Sequence, residues 1–478
     1  MSTEPTVHPT IITTPALDPG AIADFRASLR GTVLQMGDPG YDEARRIQNG
    51  LIDRHPALIV RCAGTADVVA AVTFAREHAL TLSIKGGGHN VTGNAMNDGG
   101  LVIDLSGMRA VYVDPDARMV RAQGGATWGD VDRETQLFGL AVPGGVVSTT
   151  GIAGLTLHGG LGHLRGLYGL SLDNLLEVEI VTADGEVRTA NSTQHPDLFW
   201  AVRGAGSNVG VVTSFLFRAH KIGTVVQLCA PAYPMEDAVA VLRGWRDYVE
   251  RAPEAVSSLA LLWTIPDVDA FPPEARRQPV VLTPAVYAGP PEEGERVMQP
   301  LRELGTPVLD LSHAARYTDL QAAFDPFFPK GGLYYWKSTY VDELDDAAIG
   351  TIVRRGMARR SPKSAVTVWR LGGAVGRVNP TATAYFRRDA PYLVTAEATW
   401  DDPAENEPNI RWSRASLEEL RPFSRGGMYL NFPGFGEEKE PLLRATFGPN
   451  YERLVAVKER YDPGNLFHMN LNIRPGTA

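Results

Sequence analysis

Three glycine-rich stretches in the first half of the chain, at residues 86–88, 144–169 and 204–210, constrain its fold more than any other feature. Glycine reaches positive φ at little cost and lets a main chain approach a ligand closely. Successive free N–H groups in such a loop form a nest for phosphate oxygens. A tight turn explains any one cluster equally well, but three in one half point to a long ligand laid across a domain. A Rossmann site fits poorly. In Gly204-Ala205-Gly206-Ser207-Asn208-Val209-Gly210 the final spacing is wrong, and an apolar, β-branched strand pattern follows where a helix should. No GxxxxGK[ST] occurs, which excludes a P-loop.

The patterning around these loops is α+β. Residues 65–80 read as a helix with Thr65 as N-cap, and 82–84, 101–105, 119–122 and 209–217 as strands. Residues 176–189 read as a hairpin turning at Ala183-Asp184-Gly185. After about residue 223, strands at 225–229, 259–263 and 280–287 alternate with helices at 236–250 and 292–304. That texture fits an antiparallel sheet with helices on one face. A helix at 451–460 precedes a patterned, docked tail, whereas the first twenty residues read as loose.

The chain has 478 residues, room for two or three domains. Its net charge of -9 argues against a nucleic-acid partner and, more weakly, against an anionic membrane surface. The two cysteines, Cys62 and Cys229, make no framework and no CxxC zinc site, and two buried thiols are expected. His158 and His163, five apart, share no helix face, so no metal is expected. With no signal peptide and no apolar stretch long enough to span a bilayer, the expected compartment is the cytoplasm.

Three motifs carry a family resemblance. Ile84-Lys85-Gly86-Gly87-Gly88-His89-Asn90 resembles the flavin-attachment loop of FAD-linked oxidases with a vanillyl-alcohol-oxidase (PCMH-type) FAD domain. Gly151-Ile152-Ala153-Gly154-Leu155-Thr156-Leu157, with Gly169-Leu170-Ser171-Leu172-Asp173-Asn174, is similar to that family's second fingerprint. Tyr461-Asp462-Pro463-Gly464-Asn465-Leu466-Phe467, with Asn470-Leu471-Asn472-Ile473, resembles the C-terminal signature of the berberine-bridge-enzyme-like branch.

The resemblance implies an FAD-binding domain over 1–224 plus 440–478 and a substrate-binding domain over 225–439. It implies FAD linked to His89 through the flavin 8α-methyl group, by a single bond, because Ala153 stands where some relatives carry a second, cysteine attachment. Lys85, Gly86, Gly87, Gly88 and Asn90, with Gly145, Ser148, Thr149 and Gly151, are the implied pyrophosphate cradle, and Gly154 of the second fingerprint is a further implied cofactor-binding residue. Val211 is implied on the adenine side, with Asn470 and Asn472 supporting the cofactor from the tail. Tyr429 and Asn431 resemble a Tyr-x-Asn strand facing the flavin, with Tyr429 the candidate base and Lys337 placed to lower its pKa. Thr156 takes the position that gates oxygen.

The implied reaction is hydride transfer from a small-molecule C–H to flavin N5, with O2 reoxidising the flavin to give H2O2. The alternative is oxidative cyclisation or oxygen insertion on a secondary metabolite. The resemblance says nothing of oligomeric state. Departures lie beside the flavin: His158 replaces a usual glycine, His163 a usual aromatic residue, and Gly166 a usual arginine, with Arg165 one place early.

Overall fold

A computed structural model of the chain describes residues 17–435 and 440–476. The expected loose tail lies outside the described residues as far as 16, and its end is ordered. Pro19–Ser28 is a helix whose N-cap, Asp18, accepts a hydrogen bond from the Ala21 N–H.

A small parallel unit comes first. Leu58–Arg61 and Leu82–Lys85 flank Leu101–Asp104 in parallel, with Thr32–Leu34 antiparallel at one edge. Parallel neighbours need a crossover, and the helix Thr65–Glu77 lies between the first two strands in the chain. Its buried residues Val68, Ala71, Val72 and Ala75 recur at helical spacing and face this sheet's core. The N-cap is Gly64, not the expected Thr65. The Thr65 hydroxyl instead donates to Glu179 at 2.7 Å, tying the helix to the next sheet.

That sheet has five antiparallel strands, in the order Val111–Asp114, Met119–Gln123, Val211–Arg218, Leu175–Val181, Val187–Asn191. The expected hairpin is its last pair, with Val181 opposite Val187 across the Ala183–Gly185 turn.

From Val225 to Trp400 a ten-stranded sheet forms, every pairing antiparallel. The strand expected over 280–287 divides into Pro279–Leu282 and Ala285–Tyr287, because Pro284 has no N–H for the ladder. Helices Ala238–Val249, Asp346–Met357 and Asn406–Leu420 cover one face, burying Val241, Trp245, Ile349, Ile352, Trp412 and Leu420. On the other face Tyr340, Trp369 and Leu393 pack against Leu161, Leu170 and Leu172 of the glycine-rich run. That run is therefore held between the sheets, with the cleft described below beside it.

The chain ends by returning to its first half. Beyond the helix Tyr451–Tyr461, the buried Lys458 ammonium donates to Asp462 at 2.6 Å and to the Asn208 and Phe467 carbonyls at 2.8 Å each. The Asn208 amide donates to the Leu471 carbonyl at 3.2 Å and accepts from the Ile473 N–H at 3.0 Å.

Candidate active site

A cleft opens between the glycine loops and the uncovered face of the ten-stranded sheet. The floor is main chain. The loop after the strand Leu82–Lys85 brings Gly86, Gly87, Gly88, His89 and Asn90 to its wall. Gly145, Gly151, Ala153 and Gly154 face them from the second glycine run. The two loops touch backbone to backbone: a Cβ added to Gly87 falls 2.4 Å from the Gly151 nitrogen. A Cβ added to Gly154 meets nothing within 4 Å, so this stretch of main chain is open to a ligand. Asn90 is fixed by an Asx turn, its Oδ1 accepting from the Thr92 N–H at 3.0 Å and the Thr92 hydroxyl at 2.6 Å.

His89 lies half-buried between two hydroxyls. Thr149 Oγ1 is 3.0 Å from Nε2 and Thr150 Oγ1 is 3.4 Å from Nδ1. Desolvation brings its pKa down to about 4, so the ring is neutral near pH 7. A neutral ring has a free lone pair on one nitrogen, as a nucleophile requires.

Opposite, residues 429–432 form a turn, closed by the Phe432 N–H on the Tyr429 carbonyl at 2.8 Å. The strand expected there is absent, yet Tyr429 and Asn431 both line the cleft. Ser338 holds the turn from the large sheet, its hydroxyl accepting from the Tyr429 N–H and donating to the Phe432 carbonyl, each at 2.9 Å. The Tyr429 phenol oxygen accepts three hydrogen bonds: from the Gly160 N–H at 3.0 Å, the Leu161 N–H at 3.1 Å and Asn431 Nδ2 at 3.0 Å. Gly159 and Gly160, with φ of 128° and 92°, turn the chain so that these amides point at it. Burial raises the Tyr429 pKa, and the three donors oppose that rise by favouring phenolate.

Several expected site residues lie elsewhere. Lys85 does not line the cleft; its ammonium is spent on a buried pair with Asp104 at 3.2 Å and on the Ala44 carbonyl at 2.9 Å. Ser148 gives both its N–H, at 2.8 Å, and its hydroxyl, at 2.5 Å, to Asp325. Thr149 reaches His89 rather than the cleft wall. Strand alternation buries Val211 in the core and puts Val212 on the cleft. Asn470 lines it, whereas Asn472 lies in a neighbouring polar groove. Thr156 is fully buried, without a partner for its hydroxyl among the described residues, and does not reach the cleft. Lys337 follows cleft-lining Trp336 on a strand and so takes the opposite face, beside Gly434 and Tyr335. His158 lines the cleft with Nδ1 3.0 Å from the Gly154 carbonyl oxygen, and burial lowers its pKa to about 4. His163 is buried away from it.

Sequence reasoning missed Glu397. It sits on the strand Tyr392–Trp400, directly opposite Trp336, and is the one carboxyl lining the cleft among the described residues. Its signal was a lone charge in an otherwise apolar and hydroxyl-bearing strand.

Comparison with known proteins agrees with this geometry. The family model for an FAD binding domain matches residues 56–191, and that for berberine and berberine-like proteins matches 428–474. An uncharacterized FAD-linked oxidoreductase of Bacillus subtilis is 32% identical over 462 residues, covering 94% of this chain and 98% of that one. This chain belongs to the berberine-bridge-enzyme-like family of FAD-linked oxidoreductases. The (R)-6-hydroxynicotine oxidase of Paenarthrobacter nicotinovorans is 31% identical over 459 residues, 94% of this chain and 97% of that one. A BBE-like protein of Physcomitrella patens, 22% identical, shares the fold with a TM-score of 0.84 over 95% of this chain and 100% of that one.

The protein is thus an FAD-dependent oxidoreductase with the two-domain architecture of berberine-bridge-like enzymes. The residues present fit FAD. Open main chain at Gly154 suits a closely approaching cofactor, and neutral His89 stands at the rim of the same cleft. Neither cysteine lines the cleft: Cys62 is in the core of the parallel unit and Cys229 in that of the large sheet.

Proposed function

We propose that this chain is an oxidase that carries FAD on a single covalent bond from His89 and oxidises a small molecule held against the ten-stranded sheet. His89 carries the reading: a desolvated, neutral imidazole between two threonine hydroxyls at the edge of a glycine-lined cleft. A single bond is supported by Ala153, which offers no thiol at the second attachment position. We divide the chain into an FAD-binding unit, 1–224 with 440–478, and a substrate-binding unit, 225–439.

FAD, when bound, supplies a two-electron acceptor that takes hydride at N5 and is regenerated by O2 with release of H2O2. The Tyr429 oxygen takes the accompanying proton from substrate O–H or N–H. The Gly160 and Leu161 amides and Asn431 hold it for that task and stabilise it as phenolate.

Acid precipitation tests the attachment. Flavin colour should stay in the pellet of wild-type protein and leave it for His89→Ala. Free flavin from wild type would end the covalent reading, and protein that takes up no flavin would end the oxidase reading.

A further inference from the structure

We propose that Asp325, in the segment leading into the strand Leu333–Val341 of the ten-stranded sheet, is a positioning residue for flavin attachment, acting through Ser148 to set Thr149 and Thr150 against the two His89 nitrogens. This rests on the covalent reading above and names what that bond depends on.

The chain of contacts is short. Asp325 opens the short 3-10 helix Asp325–Phe327, 177 residues beyond Ser148. Its Oδ1 accepts from the Ser148 N–H at 2.8 Å and its Oδ2 from the Ser148 hydroxyl at 2.5 Å. One carboxyl that grips a residue by main chain and side chain together stops it from sliding or turning. Gly144 and Gly145, just upstream, give the loop little stiffness of its own. Downstream, the Thr150 N–H closes a turn on the Val147 carbonyl at 3.2 Å. That turn carries the two hydroxyls to His89, Thr149 Oγ1 at 3.0 Å from Nε2 and Thr150 Oγ1 at 3.4 Å from Nδ1.

The same stretch of the chain holds the attachment loop from its other side. The Gln48 N–H donates to the Gly88 carbonyl at 3.0 Å and Asn49 Nδ2 to the Val91 carbonyl at 2.7 Å, so both flanks of His89 hang on these two residues. In turn the Gln48 side chain donates to the Phe328 carbonyl at 2.5 Å. Buried Asn49 donates to the Tyr334 carbonyl at 2.9 Å and accepts from the Tyr334 N–H at 3.1 Å. His89 and its hydroxyl partners thus take their relative position from one stretch, 325–334.

Placement matters because a neutral imidazole has one N–H and one lone pair, and its hydrogen bonds select which nitrogen has which. Thr149 meets the ring through its backbone as well, a contact that favours a proton on the ring. In attachment an imidazole N–H and a C–H of the flavin 8α-methyl group are lost and one N–C bond forms. Two electrons and two protons pass to the flavin ring, and O2 removes them as H2O2. Asp325 does not line the cleft, so it acts on this step by placing the threonines.

The test uses the full chain made in a riboflavin-starved host and then given FAD. Absorbance reads total bound flavin, and flavin fluorescence of acid-denatured samples taken over time reads the covalent fraction. Asp325→Ala should bind FAD yet form the bond about 10- to 100-fold more slowly, the cost of a small misplacement. Asp325→Asn keeps an acceptor for the Ser148 N–H and should recover most of the rate. Thr149→Val should be slow by itself, and Asp325→Ala should add little to it, because the two residues act in series. Attachment at the wild-type rate in Asp325→Ala, full additivity with Thr149→Val, or loss of total flavin in step with covalent flavin overturns the proposal. Wild-type protein that binds FAD but releases it in acid overturns the covalent reading itself, and this proposal with it.

Discussion

Gly87 and Gly151 lie so close that a Cβ built on either falls 2.4 Å from the other's backbone nitrogen. Gly151 has an ordinary extended backbone, φ -66° and ψ 136°, so it is glycine for want of space and not for conformation. Gly151→Ala should therefore force the two cleft loops apart. We expect flavin content to fall sharply, with a stability loss of about 1–3 kcal/mol typical of overpacking. Absorbance of the purified protein and a thermal melt check it; a fully flavinylated variant would count against the loop contact.

Tyr429→Phe removes one oxygen and leaves three N–H donors aimed at nothing. Turnover should drop about 100- to 10,000-fold, as for loss of a general base. Stability should fall by about 1–3 kcal/mol from the unsatisfied donors. Flavin attachment should survive, since His89 is untouched. Wild-type turnover should rise with pH, because burial raises the Tyr429 pKa, and the residual rate of the variant should lose that rise. A variant that keeps wild-type turnover would remove Tyr429 from the chemistry.

Asp132 gives a pH prediction away from the cleft. It is buried in the helix Trp128–Thr135 and accepts from Gln321 Nε2 at 3.0 Å. Its Oδ1, the Gln321 Oε1 and the Tyr317 hydroxyl have no partner among the described residues. Burial pushes its carboxyl up to about 7 from 3.8, a raised folded pKa. The folded chain then holds a proton the unfolded chain releases, so this contribution is present below about pH 4 and lost as pH rises to about 7. Asp132→Asn lacks that slope. Relative to wild type it should gain up to roughly 4 kcal/mol between pH 4 and pH 8, read from melting temperatures. Parallel curves for the two proteins would refute the buried, protonated Asp132.

Much of the cleft was legible because its parts are short and local. The attachment loop, the second fingerprint and the Tyr-x-Asn segment contribute His89, Gly151, Ala153, Tyr429 and Asn431, each recognisable without tertiary contacts. What escaped depends on the direction in which a side chain points. Lys85 and Ser148 stand in the expected stretches, but Asp104 and Asp325, distant in sequence, take their polar groups. Val211 and Val212, or Trp336 and Lys337, differ by one step along a strand, which decides the face. Glu397 was missed because nothing local says that its strand meets Trp336 at that register. The fold class followed from periodicity, whereas the break at Pro284 and the turn at 429–432 required the neighbouring strands.

The Lys458–Asp462 clamp has a consequence for the order in which the protein is made. The five-stranded sheet is fully synthesised once Arg218 leaves the ribosome, yet Asn208 waits for the Leu471 carbonyl and the Ile473 N–H, and the cleft wall waits for Asn470. More than half the chain must emerge in between, including the whole ten-stranded sheet. The glycine loops, made before the large sheet, are joined by their last wall residue only after it, so a nascent chain halted before Asn470 has an incomplete cleft.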